Sequence, residues 1–148
     1  MPEATLQFHT PATPATLRRL LSDVAFVAAG IPQVIGVEKT SETTARWTVQ
    51  IKLGPITRKS LYDGELLEAT DQGVRFRATG PEATIDGLVR FDPKPSGGTE
   101  VSLTLSMKGS GPLRAVIDSY LSKRVREDAQ KFAANLESRA GESPAPSA

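Results

Sequence analysis

The chain has 148 residues, no cysteine, one histidine and nearly balanced charges, with 18 basic against 17 acidic side chains. This length suits a single domain with a substantial core, and the absence of cysteine excludes disulfides, thiolate metal sites and cysteine nucleophiles. One histidine cannot form a multi-histidine metal site, and a net charge of +1 gives no electrostatic reason to expect nucleic-acid binding.

The first predicted elements are a short strand and two short helices. Residues 5–9 alternate between apolar and polar side chains, as in a strand with one buried face. Thr13 and Pro14 then supply a capping hydroxyl and a first-turn proline, which together predict the start of a helix. Ser22 or Asp23 can cap a second helix in the same way.

From residue 33 to residue 108 the chain reads as six consecutive strands joined by short turns. Apolar and polar residues alternate in each of them, so the apolar side chains, including Ile35 and Val37, are predicted to share one face of a sheet. The predicted strands cover residues 33–39, 45–53, 56–69, 74–79, 83–91 and 101–108.

The last predicted element is a long amphipathic helix over residues 112–139. Ser110 can cap it, Pro112 suits its first turn, and Gly141 marks its end. We therefore expect one domain over residues 1–140 and a disordered Ser/Pro/Ala tail over residues 141–148. The predicted buried face of the helix consists of Ile117, Leu121, Val125, Ala129, Phe132 and Leu136.

Four short pieces of sequence mark the breaks between these elements. They are Ala29-Gly30-Ile31-Pro32, the Val-Gln-Ile-Lys-Leu-Gly-Pro-Ile run at 49–56, Gly98-Thr99, and Gly-Ser-Gly-Pro-Leu at 109–113. In this order and spacing they resemble the helix-grip fold of the START-like (SRPBCC) superfamily, and more narrowly the carbon monoxide dehydrogenase CoxG family. Gln33 stands where that family usually has glycine.

The resemblance implies an α+β helix-grip fold with an elongated apolar cavity. A curved seven-stranded antiparallel sheet would wrap around the long C-terminal helix, with two short helices after strand 1. The resemblance brings no catalytic motif, and we expect no cofactor and no metal site. CoxG-like proteins are linked to molybdenum hydroxylases of the carbon monoxide dehydrogenase type, in maturation, membrane recruitment or carriage of a hydrophobic electron acceptor. The candidate protein partners are therefore such an enzyme or a second copy of this chain as a homodimer.

The inward-facing residues predict the wall of this cavity. A site for an apolar ligand needs a nonpolar lining with few polar anchors, and Gly64, Ala78, Ala83 and Gly87 leave room on the inner face. A completely filled core requires the same alternation, so both interpretations stay open. The candidate lining residues are Trp47, Val49, Ile51, Tyr62, Leu66, Phe76, Ile85, Val89, Leu103, Leu105, Ile117, Leu121 and Val125.

Polar residues on the inner face are few. Arg58, Ser60 and Tyr62 share the inward parity and are the candidate anchors for a carbonyl or an acidic head group. The carboxylate pairs face elsewhere, because Asp63 shares the outer face with Glu65 and residues 127–128 read as neighbours on a solvated helix. No catalytic residues are assigned.

These patterns favour a protein that binds or carries a hydrophobic small molecule, such as a lipid, an isoprenoid or a quinone, without transforming it. The alternatives are an enzyme of the cyclase or dehydrase type on the same fold, and an accessory protein whose cavity is incidental. No apolar run is long enough to span a bilayer and no signal peptide is recognisable, so we expect a cytoplasmic protein without stable membrane insertion.

Overall fold

Seven strands and three helices make up residues 3–142, the part of the chain that the computed structural model describes. Their order is the one expected from the sequence, with two short helices after the first strand and a long helix at the end. The elements are β1 (Glu3–Thr10), α1 (Pro14–Leu21), α2 (Val24–Ala29), β2 (Val34–Lys39), β3 (Thr44–Leu53), β4 (Ile56–Thr70), β5 (Gly73–Thr79), β6 (Ala83–Pro93), β7 (Thr99–Gly109) and α3 (Arg114–Glu142).

The strands form one curved antiparallel sheet in the order β1-β7-β6-β5-β4-β3-β2. Strands β2 to β7 are a meander, since each one pairs with the next along the chain, and β1 joins β7 at the far edge. This arrangement confirms the predicted seven-stranded sheet. It leaves β1 and β2 as the two edge strands.

Side-chain caps fix the starts of the two short helices. The hydroxyl of Thr13 accepts a hydrogen bond from the Thr16 amide at 3.2 Å, with Pro14 in the first turn of α1. Asp23 caps α2, because its carboxylate accepts from the amide of Ala25 at 3.0 Å. Both caps confirm the sequence-based prediction, and Asp23 rather than Ser22 is the cap of the second helix.

Helix α3 is shifted from its predicted bounds at both ends. It begins at Arg114 rather than at Pro112, because Gly111 has a φ of 77° and the chain makes a turn before the helix. The Ser110 hydroxyl donates to the carbonyl of Pro81 at 3.4 Å instead of capping the helix. At the other end the helix includes Gly141 and continues to Glu142, and the rest of the predicted tail, residues 143–148, lies outside the described residues.

The core lies between the concave face of the sheet and the helices. Helix α3 packs on β7 and β1, while α1 and α2 cover parts of β2 to β6. Every residue of the predicted apolar face of α3 is buried. The ring of Phe132 stacks on the ring of Phe76 at a centroid distance of 5.8 Å. The amphipathic interpretation of α3 is therefore confirmed for its apolar residues.

Strand β2 does not follow the predicted burial pattern. Ile35 is 53% exposed and Val37 is 37% exposed, whereas the sequence alternation placed both on the apolar face of the sheet. The pairing of β2 with β3 shifts by one residue between Val34 and Gly36, so Ile35 is the extra residue of a bulge. Val37 still pairs with the buried Trp47 on the core face, and it is exposed because β2 is an edge strand. Two apolar side chains consequently remain at the surface of an edge strand.

Candidate functional site

The predicted lining residues fill the core instead of enclosing a cavity. All thirteen belong to the core cluster or pack against it, and only Leu66 among them is partly exposed. The void that Trp47, Leu66 and Phe76 help to line measures about 10 Å³. That is about the room that one water molecule needs, and far less than a lipid or a quinone would fill.

Aromatic rings occupy the room that small residues leave under the sheet. An added Cβ at Gly87 would collide with the ring of Phe76, and one at Gly64 would collide with the indole of Trp47. The ring of Tyr62 lies in the same way against Gly80. The glycines that suggested a cavity are therefore the places where rings of neighbouring strands pack closely against the backbone.

A large open groove lies instead beside the core, between the edge of the sheet and the first half of α3. Its volume is about 1050 Å³. None of the thirteen predicted lining residues and none of the three predicted anchors belongs to it. The residues that line it are Pro32, Gln33, Ile35, Gln50, Lys52, Gly54, Ala115, Val116, Ser119, Tyr120, Lys123 and Arg124.

The groove combines exposed apolar side chains with positive charge. Ile35 and Val116 are more than half exposed there. Single exposed apolar residues are ordinary on a protein surface, whereas apolar residues grouped in one groove mark a binding site. Lys52, Lys123 and Arg124 supply three cations, and no carboxylate is among the lining residues. The groove is therefore amphipathic, with a single sign of charge.

A buried polar cluster lies at one end of the groove. The amide nitrogen of Gln33 donates to one carboxylate oxygen of Asp128, and both side chains are buried. Burial raises the pKa of the Asp128 carboxyl, although the hydrogen bond from Gln33 and the charge of Arg124 act in the opposite direction. Asp128 is fully buried, so its interpretation as a residue of a solvated helix face is wrong.

This cluster leaves polar atoms without partners. Oε1 of Gln33, Oδ1 of Asp128 and Nε of Arg124 are buried and form no hydrogen bond with the described residues. The guanidinium of Arg124 lies over the ring of Tyr120, 5.5 Å from its centroid. Gln33 and Arg124 both line the groove, so two of these three unsatisfied atoms belong to residues of its wall.

A second buried cluster contains two of the three predicted anchors. Ser60 donates to Oε2 of Glu82 at 2.7 Å, while Oε1 of Glu82 and the hydroxyl of Tyr62 are buried without a hydrogen-bond partner. Burial and, after it, the negative charge of Glu82 raise the pKa of the Tyr62 phenol. Arg58, the third predicted anchor, is exposed and lies outside this cluster.

The sequence interpretation missed Glu82, Gln33 and Asp128. A signal for Asp128 exists, because it lies three residues after Val125 and four before Phe132, on the buried face of α3. Glu82 precedes a strand in a turn, and no periodicity marks it. The only sequence signal at Gln33 is its departure from the glycine that the resembled family usually has there.

The described residues contain neither a cluster of metal-ligating side chains nor a membrane-spanning helix. Among residues 3–142 no group of three or more His, Cys, Asp or Glu side chains could hold a metal ion. His9 is exposed, with its Nδ1 atom 3.7 Å from a carboxylate oxygen of Glu100. Within the same residues, no helix is both long enough and apolar enough to cross a bilayer.

Comparisons with known proteins identify both a family and a fold. The family model for the carbon monoxide dehydrogenase protein CoxG matches residues 7–141. No curated protein sequence matches the chain.

Solved structures with the same fold cover nearly the whole chain. TTHA0849 from Thermus thermophilus is 23% identical, with a TM-score of 0.65 and coverage of 97% of this chain and 100% of that one. A START superfamily protein from Mycobacterium smegmatis is 15% identical over 95% and 97% of the two chains, with a TM-score of 0.65. The Zhui aromatase/cyclase from Streptomyces sp. R1128 is 12% identical over 93% and 92%, with a TM-score of 0.60. At these identities the likeness shows the START-like fold.

Proposed function

The chain belongs to the carbon monoxide dehydrogenase CoxG family, and from that premise we propose that it binds a hydrophobic small molecule of the lipid, isoprenoid or quinone type. The protein carries this molecule without transforming it. The site we propose is the groove between the β2–β3 edge and α3, in place of the filled interior.

The groove is the observation that supports this proposal. Its volume of about 1050 Å³ compares with roughly 300–1,000 Å³ for typical small-molecule sites. Ile35 and Val116 expose apolar surface inside it, and covering such surface with a ligand contributes about 25 cal/mol for each Å² removed from water. Gln33 and Ser119 add the few polar contacts that orient a bound molecule.

An enzyme of the cyclase or dehydrase type is the second candidate, because the described residues include buried acids. Glu82, with Ser60 and Tyr62 beside it, is the inward acid or base that such an enzyme would need. The groove does not include Glu82, and its lining has no carboxylate, so a ligand bound there has no general base from this cluster. Binding without chemistry is therefore the better-supported function.

We further propose that the protein is an accessory partner of a molybdenum hydroxylase-type enzyme. Family membership supports this role. Apolar side chains exposed on β4, Leu61 and Leu67, would give such a partner a surface to bind. A homodimer through the same surface is the competing arrangement.

Ligand binding with matched variants tests the proposed site. Native mass spectrometry of freshly purified protein would look for a retained lipid-like mass, and calorimetric titrations with decylubiquinone and dodecanol would then measure affinity. Val116→Trp should weaken binding by about tenfold or more, because the larger ring occupies the groove. Leu61→Trp is the control, since Leu61 is similarly exposed (60% against 52%) but lies outside the groove.

Two results would contradict the proposal. One is the absence of binding for every hydrophobic probe. The other is an equal loss of affinity in Val116→Trp and Leu61→Trp, which would locate the bound molecule outside the groove.

A further inference from the structure

The charges of the groove differ from those on the rest of α3. Two cations elsewhere on this helix form ion pairs, Arg114 with Asp118 at 3.9 Å and Lys131 with Glu127 at 3.1 Å. In contrast, the ion pairs found in residues 3–142 do not include any of the three cations of the groove. Their combined positive potential therefore faces a groove whose lining contains no carboxylate, while the acids that interact with Arg124, Glu127 and Asp128, lie outside that lining.

Arg124 is the most constrained of these cations. Its Nε atom is buried without a hydrogen-bond partner, and its guanidinium is held over the ring of Tyr120. Asp128, one turn further along α3, accepts a hydrogen bond from Gln33 and interacts electrostatically with Arg124, but no hydrogen bond joins it to Nε of Arg124. The guanidinium thus keeps donors for an acceptor that comes from outside the chain.

Polar and apolar groups are separated along the helix. Ala115 and Val116 line the groove near the start of α3, while Lys123 and Arg124 line it about 12 Å further along, at about 1.5 Å for each residue. A molecule with a charged head and an extended chain fits this division, because the head reaches the cations while the chain covers the apolar end.

We infer that the groove takes a single-chain amphiphile with a carboxylate head, such as a long-chain fatty acid. The head lies at Lys123 and Arg124, with Lys52 contributing from β3, and the chain lies along Val116 and Ile35. The planar guanidinium of Arg124 matches a carboxylate in geometry as well as in charge. This inference rests on the proposed function and specifies its ligand, since an uncharged quinone or alcohol would place no negative charge beside the three cations of the lining.

Chain-matched probes separate the inference from the function on which it rests. Dodecanoate, dodecanol and dodecyltrimethylammonium, each below its micelle concentration, would be titrated into the full chain by calorimetry. We expect dodecanoate to bind at least about tenfold more tightly than the other two, with an affinity that falls as salt rises. Equal affinity for all three would overturn the inference while leaving the proposed function intact, whereas no binding at all would overturn both.

Variants of α3 show whether the groove cations cause the preference. Lys123→Gln and Arg124→Gln should each reduce the preference for dodecanoate over dodecanol by about tenfold. Arg126→Gln, an exposed cation of the same helix outside the groove, should leave it unchanged. If Arg124→Gln fails to fold, as judged by circular dichroism, Lys123→Glu gives the same test, with an inverted preference expected.

A lipid surface is the competing source of anionic groups. Vesicles of phosphatidylglycerol would be compared with vesicles of phosphatidylcholine in a flotation assay. Binding to the anionic vesicles without binding of free dodecanoate would overturn the inference in favour of a membrane-docking surface.

Discussion

The ring of Phe76 lies against the backbone of Gly87, its cross-strand partner in β6. The two residues face the core together, and an added Cβ at Gly87 would collide with ring atoms. Close packing of this kind explains why an inner face with several glycines leaves so little empty space. A ring that covers a strand glycine removes the cavity that the missing side chain would otherwise create.

The first prediction follows from this contact. Gly87→Ala should lower the free energy of unfolding by about 1–3 kcal/mol, because the methyl group forces the ring of Phe76 to move. Urea denaturation monitored by circular dichroism would measure the loss. Gly87→Leu should overpack the core further, because its side chain is larger than the methyl group of alanine.

Two further variants make this prediction specific. Phe76→Leu in the Gly87→Ala background should cost less than the sum of the single changes, because the residues are in contact. Gly36→Ala is a control on another strand, since its added Cβ would meet Thr48 at an ordinary distance of 3.5 Å. A neutral Gly87→Ala, or a Gly36→Ala that is equally damaging, would contradict the close contact.

Trp47 should report on the core and not on the ligand. It is the only tryptophan of the chain, it is 2% exposed, and it does not line the groove. We expect emission typical of a buried indole that stays unchanged while dodecanoate or decylubiquinone is titrated. The sequence interpretation, with Trp47 in the cavity wall, requires a saturable change instead.

A relocated tryptophan provides the positive control. Tyr120→Trp in a Trp47→Phe background places the fluorophore in the groove, and its emission should change saturably with the same ligands. A response of Trp47 together with a silent Tyr120→Trp would return the binding site to the interior.

Asp128 should make the stability of the protein depend on pH in the acidic range. Burial raises the pKa of this carboxyl, so the folded state holds its proton more firmly than the unfolded chain does. The free energy of unfolding therefore falls as pH rises from about 3.9, the usual aspartate pKa, to the raised value, and is constant above it. Asp128→Asn should be more stable than the wild type at neutral pH, with the difference shrinking towards pH about 3.

Glu127→Gln is the matched control for this dependence. The pKa of Glu127 is lowered by its hydrogen bond to Lys131 and by the charge of that lysine. Its contribution to stability is therefore present above the usual carboxyl pKa and is lost as pH falls, which is the opposite sign to Asp128. Thermal unfolding across the acidic range would separate the two. An Asp128→Asn protein that is less stable at neutral pH would mean that the buried charge is stabilising.

Tyr62 should resist ionisation as long as the protein is folded. Burial and the neighbouring Glu82 raise the pKa of its phenol, so the unfolded chain ionises first and stability declines as pH rises above about 10. The chain has two tyrosines, and a Tyr120→Phe variant isolates the absorbance change of Tyr62. We expect tyrosinate to form only together with unfolding. Tyrosinate in a folded protein near pH 10 would contradict the burial of this hydroxyl.

The sequence was sufficient to predict the strands and helices because their periodicity depends on which face is buried. Alternation in residues such as Trp47, Val49 and Ile51 requires only that one side of the sheet face the core, and the structure confirms that facing. Whether the core is hollow depends on cross-strand register. The pairing of Phe76 with Gly87 joins two strands, and no pattern within either strand reveals it.

The groove escaped prediction for a different reason. It forms between residues of an edge strand and the flank of a helix, and their proximity depends on how strongly the sheet curls. The bulge at Val34 and Gly36, which leaves Ile35 exposed, breaks the period on which the prediction relied. Helical spacing did carry information about Asp128, since that position belongs to the buried face of α3.

The bulge in β2 also affects association between molecules through the edge of the sheet. Strand β2 has a free side that could accept a strand from a neighbouring chain, and the apolar Ile35 and Val37 would favour such an aggregate. The register shift interrupts the regular ladder of backbone donors and acceptors, and Glu38 and Lys39 place charges at the end of the strand. The irregularity that leaves Ile35 exposed in the groove therefore also disfavours edge-to-edge strand pairing between molecules.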